Sequence, residues 1–188
     1  MNVINGKRGW TKMRDKYMKQ LENLNNNMIE MGAMIEKSIE NAISALVRQD
    51  VETAKKAIEY DAEIDEMEKN IENMCMKILL SQQPVASDLR TVSSALKMVT
   101  DMERIGDHAA DISEITIMMA DKPYRCKLEK IEKMAKETMI MLVQSIESYV
   151  NKDIEKAKAV INHDDIVDGL FDEVKKALIV AIKDDDED

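Results

Sequence analysis

Apolar residues recur along this chain every three or four positions, over stretches far longer than a single helical turn. The first run is Tyr17, Leu21, Leu24, Met28, Met31, Ile35, Ala42 and Leu46, with polar residues between them. That spacing predicts one long amphipathic helix over about 15–48. Asp50 is placed to cap a second helix, expected to run to about Leu80 with Ala54, Ile58, Ile64, Ile71, Cys75 and Leu79 inward. Ser81-Gln82-Gln83-Pro84 breaks the pattern, and Pro84 suits the first turn of a third helix. That helix is expected to reach about Ala120 and to end before Pro123. Short links between long helices predict antiparallel neighbours, so the first half reads as an up-down-up three-helix bundle.

The third helix carries an anomaly. Its stripe of Val85, Leu89, Val92, Leu96 and Val99 leads to Glu103 as the next position, with Asp107 one turn further on. An acid on a packing stripe loses hydration, and then needs a proton, a cationic partner or a metal ion.

The pattern then restarts. Asp50, Glu52, Ala54, Lys55, Ile58, Asp61 and Asp65 recur as Asp153, Glu155, Ala157, Lys158, Ile161, Asp164 and Asp168, at one constant offset of 103 (50 to 153, 61 to 164, 65 to 168). This is an internal duplication of a helical unit. The counterpart of Glu103 would fall beyond Asp188, so the second unit is expected to hold two helices and to lack its last. The expected division is an N-terminal tail over 1–14, a first three-helix unit over 15–121 and an incomplete second unit over 122–188. Two helices alone would leave Ile161, Phe171, Val174 and Leu178 partly uncovered, which predicts self-association or a loose second half.

Composition agrees with an all-α protein. Among 188 residues there are only 5 Gly and 2 Pro, aromatics make up 3%, and Met is abundant at 16. The net charge of -10 argues against sequence-independent nucleic-acid binding, which needs a basic surface. Lys7 to Lys19 is locally basic and reads as a solvated helix start rather than a membrane or partner contact. No apolar run is long enough to span a bilayer, and the N-terminus has no hydrophobic signal segment. Cys75 and Cys126 lie outside any zinc or redox motif and read as reduced thiols, with Cys75 in a core. Together these features predict a cytoplasmic protein.

The candidate chemistry lies in three acid-x-x-x-acid pairs: Asp61/Asp65, Glu103/Asp107 and, in the duplicate, Asp164/Asp168. Residues four apart share a helix face, so each pair can aim two carboxylates at one point. Two pairs on facing helices would make an all-oxygen cage suited to hard or borderline divalent ions such as Mg²⁺, Mn²⁺ or Fe. The competing reading is ion pairing with Arg90 and Arg104 inside the bundle, and both can hold at once. His108 reads as an outer hydrogen-bonding or surface residue, and His163 matches Tyr60 in the first unit, so no ligand role repeats there. A ferritin-like di-iron site needs Glu-x-x-His, but Ile105 and Val160 stand three residues before the two histidines. With no phosphate loop, nucleophile elbow or H-E-x-x-H, the sequence reads as non-enzymatic.

QQPVASDLR followed by ALKMVTDMERIGDHAADI resembles the signature of the PhoU family of phosphate-signalling regulators, as does the duplicated unit with its acid pairs. The resemblance runs from about Tyr17 to Ile182. It implies tandem up-down-up three-helix bundles of spectrin-repeat type, with the second lacking its last helix here, and frequent homodimers. It also implies metal clusters held by the acid motifs, with Asp61, Asp65, Glu103 and Asp107 as one ligand set and Asp164 and Asp168 as half of another. The ion would be Fe, Mn, Mg or Zn. The implied role is that of a cytoplasmic adaptor between the ATPase of the phosphate ABC transporter and the phosphate sensor histidine kinase. It would restrain the phosphate-starvation response, reaching the membrane only through those partners. Arg90 and Arg104 lie inside the signature and are candidate partner-binding residues. The alternative is a divalent-metal-binding helical module linked to phosphate transport without kinase regulation.

Overall fold

In the computed structural model the backbone is described for residues 3–81, 86–124 and 126–185, and side chains for 14–80, 88–124 and 126–183. Five helices follow one another: α1 (Val3–Arg48), α2 (Val51–Ser81), α3 (Ala86–Met119), α4 (Glu129–Asn151) and α5 (Ile154–Asp185). No strand occurs among the described residues.

The long stripe on α1 is the spine of the molecule. Leu24, Met28, Met31, Ile35 and Ala42 are fully buried, against Ile64, Ile71, Cys75 and Ile78 of α2 and Val92, Ala95 and Val99 of α3. Each Leu, Met, Ile or Val among them contributes about 1.5–3 kcal/mol on leaving water. Helix α1 packs on α2, α3 and α4, whereas α5 packs on α4. Leu142 and Ile146 carry α4 onto α1, where Gly32 makes room: a Cβ there would collide with Ile146 Cδ1.

The expected 1–14 tail is not a separate segment, because α1 already begins at Val3. The helical pattern of 15–48 simply continues N-terminally. The break at Pro84 lies outside the described residues, and α3 ends at Met119, four residues before Pro123.

The duplication is visible in the backbone. Gln49 and Lys152, each ending a helix, are the two non-glycine residues with positive φ among the described residues, at 53° and 54°. Asp50 N–H donates to Ala45 O and Asp153 N–H to Ser148 O, at 3.0 and 2.9 Å, closing equivalent helix ends. Asp50 Oδ1 then accepts from the N–H groups of Glu52 and Thr53, both at 3.1 Å, and Asp153 Oδ1 from Lys156 N–H at 3.0 Å. The expected Asp50 cap is therefore present, and its copy starts α5.

One core assignment shifts by a residue. The buried row of α3 is Val92, Ala95, Val99, Met102, Gly106 and Ala109, continued by Ser113 and Thr116. Leu89 is 46% exposed, and Leu96 and Glu103 sit at the margin of this row rather than in its centre.

Candidate metal centre

Helices α2 and α3 are antiparallel neighbours, and their mid-sections bring the acid pairs face to face. Asp61 and Asp65, one turn apart on α2, meet Asp107 of α3, with one carboxylate oxygen of each within 4.8 Å of the others. Asp61 and Asp65 are half-buried and Asp107 is exposed, so the group opens at the bundle surface. The approach of the two helices is permitted by Gly106. A Cβ there would stand 3.1 Å from Ile64 Cδ1 and Cγ2 and 3.3 Å from Asp61 Oδ1.

The electrostatics are those of an uncompensated anion cluster. Burial, then the charges of Asp107, Asp65 and Asp111, push the Asp61 carboxyl above the usual aspartate range. Burial and then Asp107, Glu68, Asp65 and Asp61 do the same for Glu103. Asp61 Oδ1 is buried and meets no donor from the surrounding residues, and a hydrogen bond with the Asp107 carboxyl, once either acid is protonated, raises Asp61 further. The cations in reach are at the periphery: Lys69 lies 3.8 Å from Asp65, with both side chains substantially exposed. Such a surface pair contributes little. Arg104 pairs with Asp101 at 3.6 Å, not with the cluster, and Arg90 is exposed. Ion pairing with these two arginines therefore does not satisfy the buried acids.

What remains is a proton or a cation. An orphaned buried carboxylate oxygen, converging with two more, fits a hard divalent ion such as Mn²⁺, Mg²⁺ or Fe²⁺, whose remaining positions water can fill. Nitrogen or thiolate donors, which zinc favours, are absent from this group. An ion held here would offset the repulsion among the acids and tie α2 to α3.

Glu103, expected in the same ligand set, is not one of the three converging groups. It lies a turn away, close enough to Glu68 and Asp65 for their charges to raise its carboxyl. Asp164 and Asp168 are exposed on α5 and join no group of three ligands among the described residues. Asp164 instead borders a groove of about 350 Å³ with Met98, Asp101 and Met102 of α3 and Thr138 of α4. His108 is a surface residue, its Nδ1 3.6 Å from Asp111.

Sequence reasoning passed over Glu68 and Asp111, whose charges extend the cluster in both directions. The signal was available: Asp111 continues the four-residue spacing of Glu103 and Asp107, and Glu68 follows Asp65 by three. It gave His163 no ligand role and missed its contact with Glu137, 2.8 Å from Nε2, which links α5 to α4. No local pattern announces that contact, because Glu137 belongs to another helix. Cys75 is in the core as expected, its thiol pushed up to about 11 by burial.

Among the described residues no helix is long and apolar enough to cross a membrane. The chain matches the PhoU domain over residues 28–116 and 131–188. It is 35% identical over 173 residues to the phosphate-specific transport system accessory protein PhoU homolog of Clostridium acetobutylicum, covering 92% of this chain and 79% of that one. In three dimensions it superposes on the crystal structure of PhoU from Pseudomonas aeruginosa with a TM-score of 0.85 at 28% identity, covering 91% of this chain and 82% of that one. The phosphate transport system regulatory protein PhoU from Streptococcus pneumoniae gives 0.82 at 27%, with 89% and 79% covered.

Proposed function

Because the chain belongs to the PhoU family, we propose that it is a non-enzymatic, cytoplasmic accessory protein of phosphate transport that holds a divalent metal ion between α2 and α3. In this reading it restrains the phosphate-starvation response as an adaptor between the transporter ATPase and the sensor histidine kinase. Support for regulation comes from relatives named as accessory or regulatory proteins of the phosphate transport system. Support for the metal comes from one observation above all: Asp61 Oδ1 is buried without a hydrogen-bond donor, beside two further carboxylates. A bound ion would convert a repulsive seam into a cross-link, and so present a fixed α2–α3 face to a partner.

The test measures binding of the chain to the cytoplasmic part of the phosphate sensor histidine kinase and, separately, to the transporter ATPase, with Mn²⁺ and with chelator. Saturable, Mn²⁺-dependent binding that Asp61→Asn weakens is the expected result. Metal binding without either protein contact would leave the narrower role, a metal-binding module of phosphate transport. A folded chain that binds neither the metal nor either partner would overturn the proposal.

A further inference from the structure

Gly106 is the residue of α3 that faces α2 at the level of the acids, and it is buried. A glycine within a helix is unfavourable relative to alanine, so its presence mid-helix asks for a reason. The reason is steric. Its missing Cβ leaves space occupied by two carbons of Ile64, a fully buried β-branched side chain with little freedom to move. The same missing atom lies 3.3 Å from Asp61 Oδ1, the orphaned oxygen of the cluster. We infer that Gly106 is a positioning residue for the metal ion, setting the α2–α3 separation at which Asp61 and Asp107 converge on one point. This rests on the metal-binding reading above. Glycine is needed here for what it leaves out, and alanine would improve the helix while degrading the site.

The other helical glycine on an acid-bearing helix supplies the control. Gly169 of α5 has no atom within 4 Å of its would-be Cβ, so alanine there meets open space. The experiment titrates Mn²⁺ into the metal-free full chain and its variants by calorimetry, with helicity and Tm followed by circular dichroism. Gly106→Ala is expected to bind Mn²⁺ about 10–100-fold more weakly, the range found when groups around a metal's ligands are altered. Gly169→Ala is expected to bind as the parent does. If Gly106→Ala fails to fold, Gly106→Ala with Ile64→Ala removes both Ile64 carbons in the way and leaves Cβ against Asp61, and should show the same loss. Parental affinity in either folded variant overturns the inference while leaving the metal site standing. Absence of Mn²⁺ binding by the parent chain overturns the metal reading itself, and the role of Gly106 with it. A lower Tm with unchanged affinity would assign Gly106 to packing alone and also overturn it.

Discussion

Gln49 and Lys152 occupy the same left-handed backbone position at the ends of α1 and α4, each followed by an aspartate that caps the next helix. For a residue with a Cβ this conformation costs about 1–2 kcal/mol. The two sites differ in what the side chain returns. Gln49 Nε2 donates to Met119 O and Lys122 O, at 3.1 and 2.7 Å, pinning the end of α3 to the α1–α2 corner. Lys152→Gly is therefore expected to stabilise the protein by about 1 kcal/mol, while Gln49→Gly gains less or loses stability. Urea midpoints of the two variants decide it, and equal shifts would remove the anchoring role of Gln49.

Asp61 and Glu103 both titrate above their ordinary values of 3.8 and 4.5 because the folded chain buries and crowds their charge. Their stabilising contribution is thus complete below those ordinary values and is lost as pH rises through the elevated folded ones. The metal-free protein should accordingly gain stability on acidification, relative to Asp61→Asn, whose profile is flatter. If Mn²⁺ binds as proposed, it is expected to reverse the slope, because it needs the ionised acids. An excess of about 100-fold over Kd stabilises by about 2.7 kcal/mol, and that gain fades as protons compete. Chemical denaturation from about pH 3.5 to about pH 7, with and without Mn²⁺, measures both trends. Parallel profiles for parent and Asp61→Asn would mean that Asp61 is not the titrating group.

Gly32→Ala drives a methyl into Ile146 Cδ1, at the point where α4 crosses α1. Overpacking of this kind costs about 1–3 kcal/mol, against which helix propensity returns about 1 kcal/mol. Ile146→Val removes the offending methyl, so the double variant should be more stable than the sum of the two single effects. Additive effects in thermal unfolding would contradict the contact.

On α5, sequence neighbours should behave oppositely. Leu170 is 7% exposed and Phe171 56% exposed. Leu170→Ala is expected to cost about 2–5 kcal/mol and Phe171→Ala to stay within about 0.5 kcal/mol. A large loss from Phe171→Ala would show that its face is covered in solution.

The fold was legible where burial on one side is sufficient. In α1, Tyr17, Leu24, Met28, Met31, Ile35, Ala42 and Leu46 are buried as their spacing predicts, since one continuous stripe faces its neighbours from Tyr17 to Leu46. In α3 the same reasoning slipped. Its small core residues, Ala95, Gly106 and Ala109, carry little hydrophobic signal, so Leu89 and Leu96 at the margin dominated the pattern. Glu103 was thereby assigned to the row that Met102 and Gly106 occupy. The convergence of Asp61, Asp65 and Asp107 was half legible: spacing aligns acids along one helix, but only the register between α2 and α3 selects which pairs meet. On α5, Ile161 and Leu178 show the same helical period and stand 71% and 42% exposed, because periodicity does not supply the neighbour.

The 46 residues of α1 have a thermodynamic consequence. One helix contributes wall to the α1–α3 bundle and also the surface on which α4 rests, with α5 leaning on α4 in turn. Melting either half would strip partners from the same helix. The duplicated units are therefore expected to unfold together rather than as beads on a string, so that the ancestry visible in the sequence as two is expressed in unfolding as one.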